Sequence, residues 1–164
     1  MSDLLILSGK DVSSLIYRDL SERIHALKEK AITPGLAVVL VGEDPASQVY
    51  VRSKTRTFEK LDLFTQTYRL PKDISQDELL DLIKELNNDN TYHGILVQLP
   101  LPKHIESDKV INAIDPKKDV DGFHPENAGL LAIGRPRFIP CTPKGIMRIL
   151  EQYKINLNGK HVVV

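Results

Sequence analysis

Several residue types and patterns that define other protein classes are scarce or missing in this sequence. A single cysteine, Cys141, excludes an internal disulfide and a cysteine-built zinc site, which favours the reducing cytoplasm. The 22 basic and 22 acidic side chains cancel, so no net charge attracts nucleic acid or an anionic membrane. No apolar run approaches the ~20 residues of a membrane span, and the amino terminus lacks the basic flank of a signal peptide. We therefore expect a cytoplasmic globular domain that binds neither nucleic acid nor membranes.

Motifs for phosphate groups and metal ions are also missing. The chain has neither a GxGxxG nor a Walker sequence, so it contains no recognisable nucleotide phosphate loop. Its five histidines show no metal-ligand spacing. The acidic segment DPKKDVDG at residues 115–122 lacks the final glutamate and the register of a calcium loop. We expect neither a metal site nor a cofactor site within this chain.

What the sequence does contain is an alternation of strand and helix patterns. Apolar runs at residues 36–41 and 94–99 are typical of strands buried on both faces, and residues 64–70 form a third strand candidate. Apolar periodicity and caps predict helices at residues 11–30, 46–61, behind a capping box at 75–78, at 107–114 and from 142 onward. Residues 115–140 are expected to be rich in loops. The predicted fold class is α/β, a three-layer α/β/α sandwich around a mostly parallel sheet.

The segment GEDPASQVYVRSK begins one of these helices beside the end of a strand, where parallel sheets bind ligands. Asp44 is the predicted N-cap and Pro45 the first helical residue. Ser47, Tyr50 and Lys54 then lie three and four residues apart and face the same way. They would present a hydroxyl, a phenol and an amine. Spacing alone favours the plainer alternative, a solvated Lys54 and a Tyr50 that belongs to the core.

Two further segments carry polar side chains at the same end of the sheet. Gln98 interrupts the apolar strand GILVQLPLP, and a buried amide without partners costs ~1–3 kcal/mol. Gln98 therefore bonds either to backbone or to a ligand or catalytic group. In residues 115–122, a carboxylate could accept two hydrogen bonds from an amidine-like ligand edge. Aspartates that only form turns are the favoured alternative there.

The last residues form an incomplete pattern. The turn pair Asn158-Gly159 is followed by HVVV, a buried-type strand that stops after four residues. We expect that the chain is a fragment or that a second α/β domain follows.

Four segments in order, VGEDPASQVYVRSK, GILVQLPLP, DPKKDVDGFHPENAG and PCTPKGI, make the chain similar to the bifunctional methylenetetrahydrofolate dehydrogenase/cyclohydrolases. The resemblance implies a folate-binding catalytic domain at residues 1–141, of the amino-acid-dehydrogenase-like type. It further implies a linking helix at 142–157 and, at 158–164, the first strand of a truncated NAD(P)-binding Rossmann domain.

The resemblance also implies the chemistry. The family oxidises 5,10-methylenetetrahydrofolate by hydride transfer to NADP and hydrolyses the methenyl product to 10-formyltetrahydrofolate, steps that belong to one-carbon metabolism and purine biosynthesis. Lys54 matches the catalytic lysine, Tyr50 the tyrosine beside it, Gln98 the glutamine that bonds the lysine, and Asp121 the aspartate that holds the pterin. The implied substrate-binding set is Ser47, Tyr50, Lys54, Val97, Gln98, Leu99 and Asp121. NADP would be bound by the missing domain, and the full-length protein would be a homodimer.

The sequence departs from the family pattern after Lys54, where the family usually has a small residue near Thr57 and a glycine near Asp62. We expect these positions to affect helix packing and the following turn. Two alternatives stay open: the substrate domain of another two-domain dehydrogenase, of shikimate or amino-acid type, and a non-catalytic folate-binding module.

Overall fold

The computed structural model describes residues 4–163, and a three-stranded parallel sheet lies at its centre. β1 (Gly35–Val41) is the middle strand, with β2 (Phe64–Leu70) on one side and β3 (Gly94–Val97) on the other. β1 pairs with β2 along its whole length and with β3 from Leu36 to Val39. The strands predicted at residues 36–41 and 64–70 are confirmed, and the third ends at Val97 rather than at residue 99.

Six helices surround this sheet in the described residues: α1 (Gly9–Lys28), α2 (Pro45–Lys60), α3 (Gln76–Asn88), α4 (Ser107–Ala113), α5 (Pro125–Ala132) and α6 (Cys141–Gln152). Five of them lie where helices are predicted, and each predicted helix end is within two residues of the observed one. α5 lies inside the stretch expected to be rich in loops. It has eight residues and buries Asn127 instead of an apolar face, so no apolar periodicity marks it. None of these helices is both long and apolar enough to cross a membrane.

Both faces of β1 are buried, which makes the sheet the middle of three layers. On one face, Ala37, Val39 and Val41 pack in a cluster with side chains of α3 and α4, among them Leu79 and Val110. The other face carries a second cluster, made by Leu36, Val38 and Leu40 from β1, Leu96 from β3, and Val51 and Phe58 from α2. Because each fully buried aliphatic side chain contributes ~1.5–3 kcal/mol, these two clusters account for the central position of the valine-rich strand. The predicted α/β sandwich is confirmed.

The caps expected from sequence are present. Asp44 accepts a hydrogen bond from the Ser47 N–H at 2.8 Å, and Pro45 is the first residue of α2. That N–H also lowers the pKa of the Asp44 carboxyl. Ser75 and Glu78 form the reciprocal capping box of α3. These caps fix where α2 and α3 begin.

The turn after α2 contains Asp62, near which the resembled family usually has a glycine. Asp62 has a φ of 52°, in the left-handed region where glycine is unstrained. Its carboxylate pairs with Lys28 of α1, and this ion pair lowers the pKa of Asp62. The aspartate therefore occupies a glycine-type backbone position and ties this turn to α1.

The first helix, α1, contacts the last helix, α6. Beside this contact, the Tyr153 hydroxyl accepts a hydrogen bond from the Ser8 N–H at 2.9 Å. Residues 161–163 of the predicted last strand make no strand pairing in the described range, and Val164 lies outside it. The division into domains stays a prediction.

Candidate functional site

The candidate site lies at the carboxyl end of the sheet, and Gln98 is its best anchored member. The Gln98 N–H donates to the Val39 carbonyl at 2.9 Å, which fixes the residue against β1 just after β3 ends. Its side-chain Nε2 donates to the Leu99 carbonyl at 2.8 Å. Its Oε1 accepts from Lys54 Nζ at 3.3 Å. The Gln98 side chain therefore makes both of the predicted kinds of contact, since it bonds to the backbone and also to the amine of Lys54.

Lys54 reaches Gln98 from α2. One turn before it, the fully buried Val51 packs against the sheet and sets the rotation of the helix. Lys54 itself is half-buried. Tyr50, one turn earlier on the same stripe, is 63 % exposed, so the interpretation of Tyr50 as a core residue is wrong. The amine and the phenol ring are both accessible beside the strand ends.

Ser47 differs from its two neighbours on the stripe. Only 3 % of its surface is exposed, and its N–H is used by the Asp44 cap. The structure therefore places Ser47 in the protein interior at the first turn of α2. Its predicted contact with substrate stays a prediction.

Asp121 lies on a segment that runs alongside β3. Asp119 forms a parallel bridge with Ile95, and the Ile95 N–H donates to the Lys118 carbonyl at 2.7 Å. Because the two segments run in the same direction, Asp121 and Gln98 lie at the same end of the sheet. Asp121 also shares a small cavity with other predicted substrate contacts. That cavity is lined in part by Val97, Leu99, Asp121 and Phe123.

The electrostatics of Asp121 link it to the lysine. Burial raises the pKa of the Asp121 carboxyl, the positive charge of Lys54 opposes this rise, and the negative charge of Asp119 adds to it. Lys54 is thus near enough to act on Asp121. An amine, an amide and a carboxylate from three distant segments lie at one end of the sheet. Their roles toward a substrate stay predictions.

A second, larger groove of about 510 Å³ lies elsewhere. It is lined by Phe64, His93 and residues 31–33, which lie at the amino ends of the strands. None of the predicted site residues lines it, and ligands of parallel sheets bind at the opposite end. Cys141 is an exposed free thiol at the start of α6. Within residues 4–163, no three or more His, Cys, Asp or Glu side chains are grouped for a metal ion.

Comparison with known proteins identifies the family of this chain. The family model described as "Tetrahydrofolate dehydrogenase/cyclohydrolase, catalytic domain" matches residues 7–121, well over half of the 164 residues. The chain belongs to this family. The matched stretch contains Tyr50, Lys54, Gln98 and Asp121. The resemblance drawn from the four sequence segments is confirmed, and the shikimate-type or amino-acid-type dehydrogenase is not favoured.

Individual members of the tetrahydrofolate dehydrogenase/cyclohydrolase family are also similar. The bifunctional protein FolD of Streptococcus pyogenes is 54% identical over 160 residues, which are 97% of this chain and 56% of that protein. The crystal structure of the bifunctional enzyme FolD from Campylobacter jejuni is 48% identical with a TM-score of 0.92, over 96% of this chain and 56% of that one. The Trypanosoma brucei enzyme, complexed with NADP cofactor and inhibitor, is 32% identical with a TM-score of 0.92, over 98% and 55%. The chain therefore spans a little over half the length of these relatives.

Sequence reasoning missed the residues that support the loop at residues 115–124, which carries Asp121. Lys118 Nζ donates to the carbonyls of Leu86 and Asp89 at 3.0 and 2.8 Å, which ties the loop to the end of α3. Asp119 and Asn127 are buried polar residues. Both lie inside the quoted segment DPKKDVDGFHPENAG, and their hydrogen-bond partners lie within eleven residues, but no motif or apolar spacing marks these contacts.

Proposed function

We propose that the full-length gene product carrying this chain interconverts folate one-carbon units. In this proposal it oxidises 5,10-methylenetetrahydrofolate with NADP and hydrolyses the resulting 5,10-methenyltetrahydrofolate to 10-formyltetrahydrofolate. Membership of the family supports the reaction class. The single observation that carries the proposal for this chain is the hydrogen bond from Lys54 Nζ to Gln98 Oε1, beside the carboxyl group of Asp121.

In the hydrolytic step, Lys54 is the general base. Water attacks the methenyl carbon of the bound substrate, the electron pair of the C=N⁺ bond moves to nitrogen, and the neutral amine of Lys54 takes the proton from that water. The bond from this carbon to N5 then breaks, N5 takes up a proton, and the formyl group stays on N10. The positive charge of the methenyl group disfavours the ammonium form of a neighbouring lysine, which helps to free the amine. Gln98 Oε1 accepts from Lys54 Nζ and so directs the nitrogen toward the reacting carbon.

The other predicted residues bind the folate. The exposed ring of Tyr50 is available to stack on the aminobenzoyl group. Asp121 pairs with the N–H and amino group of the pterin, a two-donor edge that suits a carboxylate. Val97 and Leu99 contact the substrate beside Asp121, and Ser47 contacts it from the first turn of α2.

NADP supplies the hydride acceptor for the oxidative step. This chain has no glycine-rich phosphate loop, so its residues do not form a dinucleotide cradle, and we assign NADP binding to sequence outside it. We further propose that the full-length protein is a cytoplasmic homodimer that serves purine biosynthesis and binds neither nucleic acid nor membranes. The family resemblance and the balanced charge support these points.

The test is hydrolysis of methenyltetrahydrofolate by the full-length gene product with Lys54→Met. We expect a loss of at least a hundredfold in kcat, because general base catalysis contributes roughly 10²–10⁴. Lys60→Met, on the same helix but in its last turn, is the control and should retain activity. Unchanged hydrolysis in Lys54→Met would remove Lys54 from the mechanism, and absence of hydrolysis in the wild-type protein would overturn the proposed reaction.

A further inference from the structure

One carboxylate beside the site is almost completely buried and has no role in the proposed chemistry. Asp119 is 2 % exposed. Burying an ionised carboxylate is costly unless hydrogen bonds replace its water. Asp119 has such bonds. Its Oδ1 accepts from the Gly122 N–H at 3.1 Å, and its Oδ2 accepts from the His124 N–H at 2.9 Å and from Asn127 Nδ2 at 2.9 Å.

Two of these three donors are backbone groups that flank the substrate-binding carboxylate. The Gly122 N–H belongs to the peptide that joins Asp121 to Gly122, so its bond to Asp119 sets the plane of that peptide. Gly122 has a φ of 70°, which turns the chain back toward the Asp119 side chain. The His124 N–H holds the chain two residues farther on. Asp119 therefore clamps the backbone on which Asp121 is carried.

The Asp121 side chain has no comparable support of its own. Among the described residues, no hydrogen bond holds its carboxylate. Its burial raises its pKa, and only the charge of Lys54 opposes this rise. The direction in which its two oxygens point thus depends on how firmly its backbone is held.

The clamp is itself fixed from α5. Asn127 is fully buried, and its Nδ2 also donates to the Pro116 carbonyl at 2.8 Å. Its Oδ1 accepts from Arg137 at 3.1 Å, and Arg137 pairs with Glu126 at 2.8 Å. The beginning of the loop, at Pro116, and its end, at His124, are thereby held by one connected set of polar groups.

We propose that Asp119 is a positioning residue for folate recognition, which holds the main chain of Asp121 so that its carboxylate meets the two-donor edge of the pterin. This inference rests on the proposed function. Asp119 acts on binding, because Lys54 lies on α2 and Gln98 is anchored to β1 through Val39. Among residues 4–163, neither makes a hydrogen bond to the Asp119 side chain.

The experiment separates binding from turnover. In the full-length gene product, Asp119→Ala should raise KM for methenyltetrahydrofolate about tenfold and weaken calorimetric binding of tetrahydrofolate by the same factor, with kcat within threefold of wild type. Asp119→Asn keeps one acceptor oxygen, so its effect should be smaller. The control is Asp115→Ala, which removes another loop carboxylate that caps the Lys117 N–H, and its KM should change less than twofold.

A double-mutant cycle with Asp121→Ala isolates the positioning role. If Asp119 acts through Asp121, then Asp119→Ala should cost no further affinity once Asp121 is alanine. Full additivity of the two losses would overturn the proposal. So would a lower kcat with unchanged KM and affinity, because that result indicates only a smaller folded fraction. If Asp119→Ala does not fold, Asp119→Asn decides, and failure of both to fold would assign Asp119 to stability alone.

The same cycle distinguishes this inference from the function on which it rests. If Asp121→Ala binds tetrahydrofolate as tightly as wild type, the proposed pterin contact is wrong. If Asp121→Ala weakens binding and Asp119→Ala does not, only the positioning role is lost.

Discussion

The bond between Lys54 and Gln98 allows a test in which two substitutions at one position have different expected effects. Gln98→Ala removes the acceptor for Lys54 Nζ. A hydrogen bond to a charged group is worth ~1.5–3 kcal/mol. The Nζ–Oε1 distance of 3.3 Å is long, so we take the lower value. About 1.5 kcal/mol corresponds to a roughly tenfold loss in kcat for methenyl hydrolysis.

Gln98→Glu keeps the shape of the side chain but places a negative charge beside the amine. Two opposite charges ~4 Å apart attract by ~4 kcal/mol at an effective dielectric constant of 20. Since both side chains are half-exposed, solvent screening leaves about 1 kcal/mol. The attraction favours the ammonium form, which cannot act as a base. The pH–rate profile should therefore move to higher pH by roughly 0.7 unit.

The assay is hydrolysis of methenyltetrahydrofolate by wild type and both variants over a series of pH values. We expect the deficit of Gln98→Glu to shrink as pH rises, whereas Gln98→Ala should lose activity with a smaller displacement of its profile. Gln152→Glu, at the end of α6, adds the same charge on another element and serves as the control. A Gln98→Glu profile that superimposes on wild type would refute the idea that the amide governs the protonation of the lysine.

Two further predictions concern Asp121 and Asp62. The pKa of Asp121 is raised in the folded protein, so ionisation opposes folding at neutral pH, and this penalty disappears as pH falls through the folded pKa. Asp121→Asn should therefore raise the free energy of unfolding at pH 7, as measured by urea denaturation. It should also weaken tetrahydrofolate binding about tenfold, as measured by calorimetry; a destabilised variant with normal affinity would contradict both expectations. At Asp62, whose φ is 52°, glycine should be more stable than alanine by about 1 kcal/mol in urea denaturation, because only alanine retains the left-handed strain when the Lys28 pair is lost. Equal stabilities of the two variants would show that this turn relaxes.

The strands and most helix ends could be predicted because their signals are local. The valine-rich run of β1 is apolar on both faces, and the capping box of α3 needs only Ser75 and Glu78. α5 could not be predicted in this way, because its buried residue is Asn127 and its anchor is Arg137. In such a segment, stability comes from polar partners that no periodicity reveals.

The site residues also divide into features that local spacing predicts and features that depend on the fold. Ser47, Tyr50 and Lys54 share a helix stripe, which spacing predicts, but their burial differs from 3 % to 63 % according to how α2 meets the sheet. The Lys54–Gln98 bond joins residues 44 positions apart and needed the topology of the sheet. The sequence of residues 115–122 favours turn-forming aspartates, which is correct for the backbone of Asp119 but does not predict its burial.

The central strand β1 has a consequence for how this protein tolerates substitution. Lys54 is carried by a helix on one face of the sheet, and Gln98 is anchored to β1 through Val39. Volume changes at Leu36, Val38 or Leu40 of β1, which pack with side chains of α2, would displace that helix relative to the sheet. Substitutions on the solvent-facing sides of α2 or α3 leave this spacing intact. Sequence drift at the surface is thus uncoupled from the alignment of the amine with its amide, whereas even a single added methylene inside β1 would disturb that alignment at a distance.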